Sequence, residues 1–230
     1  MTNKTRVVIC GGGYSVKEGI EKSLWEKIRN EHVWSCNYAF MAMPYLPKKE
    51  IWVDIAFYKN NIEVLQNLWE KGVELHTKKH PTYAGIVEHL FCYDSTREVK
   101  NYHGKQALEK NMIYYGKMGL SGMFALSLAI AHGYDEIYLL GYDFGSRSVK
   151  DLNTHFYQDT LKVYSTGVMH PEVYRMPNNT VKQSEVEDFK VYLNEKDIKI
   201  FNVSPDSNIP YFEKVDYNTF FERLKDEKQG

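Results

Sequence analysis

The chain has 230 residues and a formal net charge of −1, from 29 Lys and Arg against 30 Asp and Glu. This length suits one α/β domain with its own core, and the balanced charge gives no strong attraction to nucleic acid. The three cysteines, Cys10, Cys36 and Cys92, lack C-x-x-C spacing, so no metal site is predicted. The odd number of cysteines and the polar residues at the start of the sequence predict a cytoplasmic protein. No apolar run reaches about 18 residues, so no transmembrane segment is predicted.

The first elements are a predicted strand over 7–10, a glycine loop over 11–15 and a helix over 16–29. A strand, a glycine loop and a helix in this order direct backbone N–H groups at a phosphate. The spacing matches neither the dinucleotide motif G-x-G-x-x-G nor a P-loop. A plain tight turn between a strand and a helix is the alternative.

Strands are predicted over 32–37 and 51–57, the second with Asp54 inside it. A lone aspartate in an apolar strand is costly unless it is paired or lies at the strand end, so a functional role and a structural hydrogen bond are both open. A helix over 60–71 and strands over 73–77 and 90–93 follow.

Two further segments have open interpretations. The basic loop over 78–83 is either a solvated connector or an anion contact. The segment 94–119 is long for an irregular connection, so it is either a lid or binding loop, or a cover for the core.

The segment from Ser121 to Tyr157 organises the rest of the chain. A helix over 122–132 has almost no polar face, which is typical of a core helix, and an apolar run over 137–140 predicts a strand buried on both faces. Asp143 follows this strand. Ser121 lies at the helix N-terminus, where backbone N–H groups favour an anion.

The carboxyl-terminal part continues the alternation of helices and strands. A loop-like stretch over 162–179 precedes a helix over 183–195, a strand over 198–203, a polar loop beginning at Ser204 and a helix from Asp216. The pattern predicts an α/β fold with one doubly wound, mostly parallel, Rossmann-like sheet over 1–230. Lid or insertion segments are expected near 94–119 and 145–180. Polar ends of parallel strands converge on one edge, so a nucleotide-type site is expected there.

Four segments together resemble one family in order and spacing. They are VICGGGYSVKEG, SCNYAF, SGMFALSLAIAHGYDEIYLLGYDF and FNVSPDSNI. They are similar to the small bacterial sialyltransferases of lipooligosaccharide synthesis and to related proteins grouped with archaeal 6-hydroxymethylpterin pyrophosphokinase. The third segment is the most specific. The resemblance implies a transferase with a nucleotide-monophosphate sugar donor, a hydroxyl acceptor of unknown identity and a metal-independent displacement.

The resemblance also implies roles for individual residues. The donor-binding set comprises Gly11, Gly12 and Ser15 at the phosphate, Asn37 and Ser121 at the nucleotide or its phosphate, Asp143 at the ribose or base, and Gly122, Asp54 and Ser204. His155 corresponds to the general base, a role that suits a histidine with a pKa near neutrality; a surface loop histidine is the alternative.

The chain departs from the family pattern at three positions. Gly145 replaces the tyrosine that assists the leaving phosphate, and Tyr157 or Tyr164 is a candidate substitute. Tyr14 replaces the proline of the glycine loop. Asp54 replaces a donor-binding asparagine of the sialyltransferases, as in the pyrophosphokinase-like relatives.

Three functions therefore follow as hypotheses. The first is a glycosyltransferase-like enzyme with a nucleotide-sugar donor, preferably a CMP-sugar, and no required cofactor or metal. The second is a pyrophosphokinase-like enzyme in which Asp54 and Asp143 hold Mg²⁺ and ATP phosphates. The third is a nucleotide-binding module without turnover, which the missing tyrosine permits. An oligomer is compatible with all three.

Overall fold

The computed structural model describes residues 4–83, 89–95, 104–114, 119–144, 155–157, 186–195 and 197–226. The strands are β1 (Arg6–Cys10), β2 (Val33–Cys36), β3 (Lys49–Trp52), β4 (Glu74–Lys78), β5 (Leu90–Ser95), β6 (Met112–Ile113), β7 (Glu136–Leu140), β8 (Lys199–Asn202) and β9 (Glu213–Lys214). These nine strands form one sheet in the order β6-β5-β4-β3-β2-β1-β7-β8-β9. Every pairing in it is parallel, so the predicted α/β doubly wound fold is confirmed.

Helices connect most of these strands. The α-helices are α1 (Val16–Glu21), α2 (Leu24–Lys27), α3 (Ile55–Asn60), α4 (Ile62–Glu70), α5 (Gly104–Glu109), α6 (Ser121–His132) and α7 (Tyr217–Asp226). Within the described residues, short 3-10 helices cover Asn37–Ala42, Pro81–Tyr83 and Asp188–Asn194.

The direction of winding reverses at β1. The strands β2 to β6 extend the sheet on one side of β1, and β7 to β9 extend it on the other. Cys10 at the end of β1 therefore pairs with Ser35 of β2 on one side and with Leu140 of β7 on the other. Such a reversal leaves a crevice beyond the carboxyl ends of the two diverging strands, where doubly wound proteins bind ligands.

The central strands are buried on both faces. In β1, Val7 and Ile9 belong to the core cluster that includes α6, whereas Val8 and Cys10 belong to the cluster that includes α1, α2 and α7. Helix α6 is buried from Met123 to Ala131 and ends at Gly133, which has a φ of 77°. The predicted core helix is therefore confirmed, and Gly133 in the left-handed region caps its end.

Two predicted elements near the amino terminus are wrong in extent. The strand predicted over 51–57 ends at Trp52, and Asp54 caps helix α3 instead of lying inside a strand. The helix predicted over 16–29 is two helices, because Ser23 between them has a φ of 63°. A short apolar run fits a buried strand or a buried helix equally well, which explains the first error.

The prediction of an irregular segment over 94–119 is wrong for its described part. Strand β5 continues to Ser95, helix α5 follows, and β6 pairs with β5 through Asp94 and Met112. Residues 96–103 and 115–118 lie outside the described residues, so a lid role for this segment stays a prediction.

The structure confirms some of the elements predicted for the carboxyl-terminal part. Strand β8 and helix α7 confirm the strand over 198–203 and the helix after Asp216, whereas β9 was not predicted. Of the helix predicted over 183–195, Val186 and Glu187 are α-helical and Asp188–Asn194 form a 3-10 helix, while 183–185 lie outside the described residues. Of the segment 145–180, only 155–157 lies within the described residues.

Candidate functional site

The glycine loop after β1 lies directly against the segment that follows β7. The Gly11 N–H donates to the Leu140 carbonyl at 2.8 Å, and the Gly13 N–H donates to the Gly141 carbonyl at 2.9 Å. A Cβ atom on Gly13 would lie 2.4 Å from that carbonyl oxygen, a distance at which the backbone would have to move. The close approach of the glycine loop to the segment after β7 therefore requires glycine at position 13.

Ser15 and Asp143, both predicted site residues, bind each other across this crevice. The Ser15 backbone N–H donates to Asp143 Oδ2 at 2.8 Å, and the Ser15 hydroxyl donates to Asp143 Oδ1 at 2.5 Å. Both carboxylate oxygens of Asp143 thus accept a hydrogen bond from the first turn leading into α1.

Asn37 and Ser121 form a second pair, between β2 and α6. The Ser121 hydroxyl donates to Asn37 Oδ1 at 3.1 Å and accepts from the Val53 backbone N–H at 3.1 Å. Asn37 has a φ of 54°, in the left-handed region, which turns its side chain back toward α6 at the end of the strand. The pair therefore joins the ends of β2 and β3 to the start of α6.

The Tyr142 ring lies between the glycine loop and the start of α6. Its hydroxyl donates to the Gly122 carbonyl at 2.9 Å. Cβ atoms on Gly122 and Gly11 would lie 3.0 and 3.3 Å from ring atoms of Tyr142. Gly11 and Gly122 therefore make room for this ring, a role that the resemblance did not imply.

His155 lies over the glycine loop. It forms an antiparallel bridge with Gly13, and the Phe156 N–H donates to the Gly12 carbonyl at 3.0 Å. A Cβ atom on Gly12 would lie 2.5 Å from Cδ2 of His155. Burial lowers the pKa of His155 to about 4, below the near-neutral pKa that suits a general base, so the imidazole is neutral at pH 7 and is a weak proton acceptor.

Tyr157 lies beside His155 and is 2% exposed. Its ring centroid is 5.2 Å from that of His155 and 6.1 Å from that of Tyr38. Gly145, at the position of the family's tyrosine, and Tyr164, the other candidate substitute, lie outside the described residues.

Two predicted site residues have other surroundings. Asp54 is exposed and accepts a hydrogen bond from the Ala56 N–H at 2.8 Å as the N-cap of α3. Ser204, at the end of β8, is 1% exposed, and its carbonyl accepts from the Ser207 N–H at 3.0 Å. Neither residue joins the two hydrogen-bonded pairs.

Two residues of the loop after β8 support the site without having been predicted. The Ser207 hydroxyl donates to the Tyr142 carbonyl at 2.6 Å, and the Asn208 N–H donates to the Asp143 carbonyl at 2.9 Å. The polar composition of 204–208 indicated a loop at the sheet edge, but no local pattern indicates which backbone atoms it contacts.

The described residues contain no group of three or more His, Cys, Asp or Glu side chains arranged to hold a metal ion. In the same part of the chain, no helix has the length and apolar composition needed to cross a membrane.

The fold and the site together define a doubly wound α/β protein with hydrogen-bonded polar side chains at its switch point. No protein-family model matches the chain. A search of the curated proteins also found no match.

Proposed function

We propose that the chain is a glycosyltransferase-like enzyme that transfers a sugar from a nucleotide donor, preferably a CMP-sugar, to a hydroxyl acceptor. The observation that carries the proposal is the position of the glycine loop, Asp143 and His155 at the switch point of the parallel sheet. Ligand sites of doubly wound folds lie there because the flanking loops diverge and leave a crevice. The sequence resemblance to sialyltransferases supports the same class.

The start of α6 supports recognition of the donor phosphate. This helix has 12 residues, and its N-cap residue Leu120 has no side chain that could accept from the first-turn N–H groups. Those N–H groups carry the positive end of the helix dipole, which favours a phosphate. Asn37 and Ser121 lie beside them, as the resemblance implies for nucleotide-binding residues.

His155 supports a base-assisted transfer. The ring is neutral at physiological pH and can take a proton from an acceptor hydroxyl, although its pKa of about 4 makes it a weaker base than a histidine with a pKa near neutrality. Transfer then forms a bond between the acceptor oxygen and the anomeric carbon. The bond from that carbon to the donor phosphate breaks, and the nucleotide leaves with its electron pair. In this scheme Tyr157 stands close enough to His155 to orient it.

Calorimetry against CMP, UDP, GDP and ATP, with and without Mg²⁺, tests the nucleotide part of the proposal. Metal-independent binding of CMP is the expected result. Binding of ATP only with Mg²⁺ would instead support the pyrophosphokinase-like alternative, with Asp54 and Asp143 as the metal-holding residues.

Hydrolysis or transfer from a CMP-sugar tests the catalytic part. His155→Gln is expected to lower kcat by about 10²- to 10⁴-fold while CMP binding is kept. His32→Gln, an exposed histidine before β2, is the matched control and should be unchanged. CMP binding without turnover in the wild type would instead indicate a binding module, and turnover that His155→Gln leaves unchanged would exclude His155 as the base.

A further inference from the structure

The hydrogen bonds between Ser15 and Asp143 indicate a role for Asp143 other than ligand binding. The resemblance implies that Asp143 touches the ribose or base, yet both of its carboxylate oxygens accept hydrogen bonds from Ser15. We propose that Asp143 is a positioning residue that fixes the glycine loop and, through it, His155. The effect on turnover rests on the proposed function, whereas the effect on the loop does not.

The Asp143 carboxylate is carried by a segment that is held on both sides. The Asp143 carbonyl accepts from the Asn208 N–H, and the carbonyl of the preceding Tyr142 accepts from the Ser207 hydroxyl. Phe144, the next residue, has a φ of 49° and receives a hydrogen bond from the Asn208 side chain on its carbonyl. The carboxylate therefore projects from a backbone whose position is set by the loop after β8.

Ser15, the hydrogen-bond donor in this contact, is also held in place. Ser15 is 2% exposed, and its N–H and hydroxyl both donate to a charged acceptor, which makes these hydrogen bonds stronger than neutral ones. A Cβ atom on Gly13 would lie 2.7 Å from Asp143 Oδ2, so the carboxylate fills the inner side of the loop. A donor phosphate placed there would meet a negative charge at short range, which is unfavourable.

The loop held in this way is the one on which His155 lies. His155 bridges to Gly13, and the Phe156 N–H donates to Gly12. A shift of the glycine loop would therefore move the imidazole that the proposed reaction needs. The expected consequence of breaking the contact is a loss in kcat that exceeds the change in nucleotide affinity.

Four variants separate this role from direct nucleotide binding: Ser15→Ala, Asp143→Ala, the double variant and Asp143→Asn. The asparagine amide can still accept from the Ser15 N–H and donate to its hydroxyl, so Asp143→Asn keeps the geometry and removes the charge. Amide hydrogen exchange of residues 11–16, the dissociation constant for CMP, and kcat with a CMP-sugar are measured for each. Asp197→Ala, an exposed aspartate before β8, is the control.

The positioning role predicts that Asp143→Ala speeds exchange in residues 11–16 by about 10- to 100-fold and lowers kcat by a similar factor. The double variant should equal Asp143→Ala, because both changes remove the same contact. Asp143→Asn should stay within a few-fold of the wild type.

The opposite pattern would overturn the proposal. In it, Asp143→Asn and Asp143→Ala weaken CMP binding equally, Ser15→Ala leaves binding intact, and loop exchange is the same in all proteins. If the wild type does not bind CMP, the proposed function fails, while the exchange measurement still decides whether Asp143 fixes the loop.

Discussion

The Ser121 hydroxyl donates to Asn37 Oδ1 at 3.1 Å and so joins the start of α6 to the end of β2. The same oxygen accepts from the buried Val53 N–H. One hydroxyl thus links a helix to two strands at the edge where the candidate site lies. Its loss affects both the helix start and the turn after β3.

Ser121→Ala should lower the free energy of unfolding by about 1–3 kcal/mol, because the buried Val53 N–H loses the hydroxyl that accepts its hydrogen bond. Urea denaturation at pH 7 measures the change. Asn67→Ala, at an exposed position of α4, is the control and should change the free energy of unfolding by less than about 0.5 kcal/mol. Equal losses in both variants would contradict the role given to Ser121.

Substitutions of Asn37 should separate its backbone conformation from its side chain. Asn37→Ala loses the contact with Ser121 and keeps a residue with a Cβ in the left-handed region at a φ of 54°, whereas Asn37→Gly loses the contact but adopts this φ without strain. We expect the alanine variant to be less stable than the glycine variant by about 1 kcal/mol. Thermal and urea unfolding of both variants measure the difference, and an alanine variant at least as stable as the glycine variant would show that the turn relaxes.

Alanine at position 12 should affect activity more than stability. Its Cβ would lie 2.5 Å from Cδ2 of His155, a side chain that can move, whereas a Cβ at position 13 would meet the Gly141 backbone. Gly13→Ala should therefore cost more stability, about 1–3 kcal/mol, and Gly12→Ala should mainly lower kcat by displacing His155. Denaturation and turnover of the CMP-sugar are measured side by side. A Gly12→Ala protein with wild-type kcat would place His155 outside the reaction.

We expect the buried carboxyl group of Glu50 to make the free energy of unfolding fall as the pH rises. The residue is fully buried on β3, and burial raises its pKa well above 4.5 although hydrogen bonds from Ser35 and from the Ile51 backbone act in the opposite direction. Above about pH 4.5 the unfolded chain releases this proton while the folded protein keeps it. The wild type therefore loses stability relative to Glu50→Gln by up to about 1.4 kcal/mol per pH unit.

Urea denaturation of wild type and Glu50→Gln between pH 4.5 and 7 measures this slope. The difference in free energy of unfolding should grow in favour of Glu50→Gln as the pH rises. Glu26→Gln, at an exposed position, controls for the substitution itself. A constant difference across this range would mean that Glu50 ionises in the folded protein.

The sequence predicts the fold well because hydrophobic patterns report burial. The apolar runs of β1 and β7 and the nearly polar-free α6 identify strands and a helix buried in the middle of a parallel sheet. The same reasoning fails at 51–57, where the run passes from β3 through Asp54 into α3. Apolar composition alone does not mark where such a strand ends.

The candidate site could be predicted only as a set of residues and not as a set of contacts. Ser15, Asn37, Ser121 and Asp143 lie at the ends of predicted strands and helices, so their common edge follows from parallel topology. Which of them bind each other depends on side-chain geometry between segments up to 128 residues apart. No local pattern in the sequence carries that information.

The two strands that pair with β1, namely β2 and β7, are synthesised at very different times. The pairing of β1 with β2 needs Val33, whereas its pairing with β7 joins Arg6 to Glu136, 130 residues further along the chain. Such non-local pairing slows folding, because a long loop must close before the contact forms. The edge of β1 that pairs with β7 therefore has no partner strand until β7 has been synthesised, and the crevice at the switch point cannot be complete before then.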